Sequence, residues 1–172
     1  MLEIFFKMKK PFKIPETITE QELRELIKKS KSKKHRLAFL LGFYQAMRVS
    51  EVVAIKPEDV NKETKLLHIR QAKGSKDRMS PIAPEIYSGL KHLPVGIGIR
   101  ALQIAFKKLG KEVLNKDLHF HCLRHSGITH YLTKKKWSSL EVQRLAGHSR
   151  VSTTEIYAHI NPVDLVDRMW EK

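Results

Sequence analysis

Only one cysteine, Cys122, occurs in the 172 residues, so the chain cannot form an internal disulfide. That usage suits a reducing compartment, and a cytoplasmic location is expected. Nowhere do about eighteen apolar residues run together, which excludes a membrane-spanning helix, and no signal peptide is evident. No tandem repeat or low-complexity block stands out either. Acidic side chains are in deficit: 18 Asp and Glu face 33 Lys and Arg, a formal charge of +15. Such a surface repels itself in the compact state unless a polyanion neutralises it. Nucleic acid is therefore the default partner, with an anionic membrane surface as the rival. The length fits one domain able to bury a real core.

What is present concentrates in the last third. The text reads HCLRH at 121–125, GHS at 147–149 and STTEIY ending at Tyr157. A helix beginning near His121 brings His121 and Arg124 onto one face, because residues three apart lie about one turn apart. Gly147 stops the next helix, His148 follows at once, and Ser152 with Glu155 has the capping-box form that opens another helix containing Tyr157. An imidazole, a guanidinium, a second imidazole and a phenol on consecutive short helices suit a metal-free attack on a phosphodiester. His119, His121, Cys122 and His125 offer zinc-type ligands, but their spacing matches no closed four-ligand motif, and no metal is expected.

Upstream, Thr19 and Glu22 form a capping box for a helix to about Ser30, with Leu23, Leu26 and Ile27 on one apolar face. The run from Leu37 to Met47 is apolar on nearly all sides and predicts a buried central helix. It closes on QAMRVSE, where Arg48 either answers the helix dipole or is held rigidly for a phosphate. Glu51 suits bracing Arg48 or the backbone, since a free carboxylate beside a phosphate is repelled. Residues 66–82 alternate around a Lys-rich turn at 72–76, a hairpin with cations at its tip and Pro81 marking an edge. Short helices are expected at 84–91 and 99–109, the second stopped by Gly110 and burying Leu102, Ile104, Ala105 and Leu109. Trp137 would anchor the loop before a helix at 139–146.

Taken together, these stretches resemble the tyrosine recombinases, the phage-type integrases and Xer-type resolvases. Their pattern is H-x-x-R, then G-H, then a nucleophilic Tyr, matched here by His121, Arg124, His148 and Tyr157. The QAMRVSE box resembles the family's G-x-R-x-S-E, with Ala46 in place of the usual Gly, a change that bears on local packing. AKGSKDRMSPI resembles the family hairpin whose first Lys is catalytic, here Lys73. The resemblance implies a mainly helical α+β catalytic domain with a small antiparallel hairpin sheet. It also implies cleavage and rejoining of double-stranded DNA through a 3′-phosphotyrosyl bond, with no cofactor. Arg48, Lys73, His121, Arg124, His148 and Tyr157 would be catalytic. Lys76, Arg78, Arg144 and Arg150 would contact DNA. Related chemistry on the same site would serve a type IB topoisomerase, and a regulator could keep the fold without the activity.

Residues 1–15 read as a basic arm or linker, and 16–172 as the catalytic domain. The family's N-terminal core-binding domain is not expected in this chain. Val163, Val166, Met169 and Trp170 recur at helical spacing in a tail at about 162–171, an apolar stripe that needs a partner. In the family such a tail often docks on a neighbouring protomer, and self-association on DNA as dimer to tetramer is implied. The alternative is that the tail folds back on its own domain.

Overall fold

The computed structural model describes residues 16–70, 77–147 and 164–171. The arm at 1–15, the hairpin tip with Lys73 and Lys76, and the stretch 148–163 with His148, Arg150, the Ser152 box and Tyr157 lie outside the described residues.

Thr19 starts α1 (Glu20–Lys29): its hydroxyl accepts the Glu22 N–H at 3.2 Å while Glu22 Oε2 accepts the Thr19 N–H at 2.8 Å. This is the reciprocal box expected from the sequence. The central helix, α2 (Lys33–Tyr44), begins before the apolar run because Ser32 caps it, and buries Leu37, Phe39, Leu41 and Phe43. It ends at Tyr44 rather than Met47, and two residues on Ala46 takes a left-handed φ of 46°.

Against α2 lies α6 (Phe120–Thr133), the most extensive pairing among the described helices. Gly127 makes the approach possible, since a Cβ there would fall 1.9 Å from the Phe43 carbonyl oxygen. His130, one turn further along α6, is buried among Phe43, Tyr44 and Tyr131. This histidine is part of the core, and its burial lowers its pKa.

After α3 (Val49–Ala54) a 3-10 turn at Pro57–Asp59 leads into an antiparallel sheet of order β1-β2-β3, formed by Val60–Asn61, Leu66–Ile69 and Arg78–Pro81. Leu67 pairs with Ser80 and Ile69 with Arg78. Pro81 ends the edge strand β3, as expected of a residue without an N–H. Beyond the sheet come α4 (Pro84–Tyr87), a 3-10 turn at Ser88–His92, and α5 (Ile99–Leu114).

Two expectations for α5 fail. The helix runs through Gly110 and stops at Asn115, whose φ of 53° forms the left-handed cap. Gly110 is instead a close-approach residue, where a Cβ would meet Leu118 at 2.9 Å. Ile104 is 58% exposed, and Phe106 occupies the core in its place.

Trp137 packs against Tyr131 with ring centroids 4.7 Å apart and the planes tilted by 37°, and leads into α7 (Ser139–Ala146). The tail forms α8 (Asp164–Trp170) and folds back on its own domain. Leu165 and Met169 are buried, the Trp170 indole N–H donates to the Ile82 carbonyl at 2.9 Å, and Arg168 Nε bonds Glu141 at 3.2 Å. Lys65 Nζ sits 4.0 Å from the centroid of the Trp170 ring, a cation–π contact. Among the described residues no helix is long and apolar enough to cross a membrane.

Candidate active site

Arg48 lies past the end of α2, as the N-cap of α3. That is the electropositive end of a helix, so Arg48 is not placed to answer a dipole as a C-terminal cation. Its backbone N–H donates to Glu51 Oε2 at 2.8 Å, and its Nη1 reaches Glu51 Oε1 at 3.2 Å. Glu51 thus braces both the backbone and the side chain of Arg48, and 42% of that side chain stays exposed.

Glu51 has a second guanidinium. Arg78 of β3 donates to both carboxylate oxygens, at 2.9 and 3.1 Å, and its Nε donates to the Leu145 carbonyl at 3.2 Å. Only 9% of the Arg78 side chain is exposed. Arg78 was expected to hold phosphate. In the structure its fork is engaged by the Glu51 carboxylate and its Nε by the Leu145 carbonyl, so that it joins α3, β3 and the end of α7. Burial pushes the Glu51 carboxyl upward, but the hydrogen bonds and charge of Arg78, the Arg48 N–H and the charge of Arg124 outweigh it and leave the pKa lowered.

Arg124, on α6, is the third guanidinium and is 2% exposed. Its Nη1 donates to the Ala46 carbonyl and its Nη2 to the Ala146 carbonyl at 2.8 Å. These are the carbonyls just before Arg48 and at the end of α7. Burial, with Arg48 and Arg78 nearby, brings its pKa down to about 10, so it stays charged at neutral pH. Ala46 explains the glycine of the family box: the position needs a left-handed backbone, which glycine adopts without a Cβ penalty. The substitution bears on backbone conformation and not on packing alone.

Gly147 caps α7 with φ 66°, and a Cβ there would strike Arg78 Cδ at 2.7 Å. The glycine therefore ends the helix and admits Arg78. His121 is exposed in the first turn of α6, its ring edge-on to His125 at 4.4 Å, whereas Arg124 three residues later is buried. Arg144 is exposed on α7. The described part of the site thus brings Arg48, Arg78 and Arg124 together about Glu51 and leaves His121 and Arg144 at the surface. Lys73, Lys76, His148, Arg150 and Tyr157 fall outside the described residues. Sequence reasoning missed the locking role of Arg78, and the one available signal was the carboxylate of Glu51, which needs a cationic partner when buried.

The phage integrase family model matches residues 16–95 and 97–163. A tyrosine recombinase XerA of Pyrococcus horikoshii is 33% identical over 169 residues, covering 87% of this chain and 59% of the relative. The integrase of mycobacterium phage Brujita superposes with a TM-score of 0.77 at 20% identity, over 94% of this chain and 60% of that one. A lambda integrase dimer bound to a core site gives 0.65 at 18% identity, over 80% of this chain and 59% of that one. The chain spans about three fifths of the length of the curated relatives it matches. With the mainly helical fold, its small antiparallel sheet and the match over most of its length, the chain belongs to the phage integrase family.

Proposed function

We propose that this chain is the catalytic part of a site-specific DNA recombinase. The observation that supports this reading most directly is the gathering of Arg48 and Arg124 from distant parts of the chain around one buried carboxylate. Two cations held this way suit the nonbridging oxygens of a phosphodiester. The transition state carries more equatorial charge than the ground state, so each fixed donor is worth about 3 kcal/mol, by analogy with oxyanion donors.

In the reaction, the Tyr157 oxygen attacks phosphorus, its proton passes to His121, and the bond to the 5′ oxygen breaks. Lys73 protonates that leaving oxygen, and His148 adds a further donor to the phosphoryl group. The 3′-phosphotyrosyl linkage keeps the energy of the diester, so the reverse attack by a 5′ hydroxyl rejoins the strand without ATP. Arg78 serves as a positioning residue that holds Glu51. Lys76, Arg144 and Arg150 follow the DNA backbone. Recombining two duplexes means cutting four strands with one nucleophile per protomer, which calls for assembly of dimers into a tetramer on DNA. The reaction places the protein with the DNA, inside the cell.

A duplex nicked near the cleavage point loses the short 5′-hydroxyl fragment and traps the adduct. The chain should become covalently joined to the 3′ end, and Tyr157→Phe should give no adduct at all. A parent protein that stays unattached on every attachment sequence tried would overturn the reading, and relaxation of supercoils without exchange between sites would make it a topoisomerase.

A further inference from the structure

Asp59 is a buried carboxylate with two separate tasks. Its side chain is 1% exposed. Oδ2 accepts the Lys56 N–H at 2.9 Å and so caps the 3-10 turn. Oδ1 faces the hairpin: Arg70 Nη2 lies 2.6 Å away and His68 Nδ1 4.0 Å away. The Arg70 contact is off the hydrogen-bond direction, so Oδ1 is held by charge without a directed bond. On its far side the His68 ring places Nε2 3.1 Å from Asp77 Oδ2.

Arg70 is the last described residue before the stretch 71–76 and Asp77 the first after it. Asp59 therefore reaches both ends of the segment that carries Lys73, one directly and one through His68. A turn cap needs a single acceptor oxygen, which asparagine supplies equally well. A second, charged oxygen in a buried site is costly unless something compensates it. Here the compensation comes from the two hairpin stems.

We infer that Asp59, with His68, Arg70 and Asp77, is a clamp that fixes the two ends of the segment carrying Lys73. The inference rests on Lys73 being the acid that protonates the leaving oxygen. These four are positioning residues and touch no reacting atom.

The test uses nicked duplexes carrying either oxygen or sulfur at the bridging 5′ position, because a thiolate leaves without needing a proton. Single-turnover cleavage of the oxygen substrate should fall about tenfold or more in Asp59→Asn, the size of loss that misplacing a catalytic group by a fraction of an ångström produces. Cleavage of the sulfur substrate and the Kd for duplex should stay within about twofold of the parent, since neither needs the proton. Asp77→Asn, on a half-exposed side chain, repeats the measurement without disturbing a buried group. Lys73→Ala is the control. If sulfur fails to rescue it, Lys73 is not the acid and the inference falls with that reading. If sulfur rescues Lys73→Ala while Asp77→Asn and Asp59→Asn slow both substrates alike, or neither, the clamp alone is disproved.

Discussion

Among the described residues Glu51 is the one acid that the three guanidiniums share, and its protonation state decides whether they repel one another. Its folded pKa lies below that of an exposed glutamate, despite burial, because Arg78, Arg48 and Arg124 surround it. A depressed carboxylate contributes stability that is fully present above the unfolded pKa and is lost as pH falls through the folded one. Glu51→Gln keeps the shape and removes the charge, and should cost about 3 kcal/mol at pH 7, the scale for breaking a buried pair. Urea unfolding should show the gap from the parent closing below about pH 4. A variant as stable as the parent at pH 7 would mean the carboxylate charge holds nothing. Glu51 was legible in the sequence as a brace because a free carboxylate beside a phosphate is disfavoured. The pairing of Arg78 with Glu51 was not, because carboxylate and phosphate suit the same guanidinium fork and the two residues lie far apart in the chain.

At the scale of elements, the pairing of α2 with α6 sets the distance between the Arg48 turn and Arg124. Gly127 fixes that distance: with a Cβ projected 1.9 Å from the Phe43 oxygen, alanine can be accommodated only if the helices part. Gly127→Ala should lower stability by about 3 kcal/mol or more, the upper end for overpacking, read as a fall in the thermal midpoint. Retention of the parent midpoint would show that α6 can shift at little cost. The start of α1 was legible, since Thr19 accepts an N–H as its capping box requires, whereas the Ser32 cap that starts α2 ahead of the apolar run was missed. Helix ends were harder. Gly147 does end α7, but Gly110 continues α5 because a glycine in a close contact and a glycine in a cap look identical in sequence. Ile104 misled for a similar reason: Phe106 sets the buried face of α5, and the apolar letters alone do not fix its phase.

For the molecule as a whole, the formal charge of +15 predicts that the proposed binding to DNA is salt-sensitive. Each neutralised phosphate releases counterions, so about four contacts predict roughly a hundredfold loss of affinity between 50 and 200 mM salt. A titration by fluorescence anisotropy gives the slope directly, and a flat response would assign the charge to some other use. The tail is the part whose place the sequence left undecided. Its apolar stripe fits any apolar partner, and the choice made here depends on Ile82 offering a carbonyl to Trp170 and Glu141 offering a carboxylate to Arg168.

Three guanidiniums against one carboxylate leave the centre of the molecule with an unbalanced positive surplus before any substrate arrives. Sulfate, pyrophosphate, heparin and RNA all carry the charge that would offset it. The bare protein should therefore favour phosphate-rich buffers and co-purify with cellular polyanions, so that its true preference for duplex emerges only after those competitors have been stripped away.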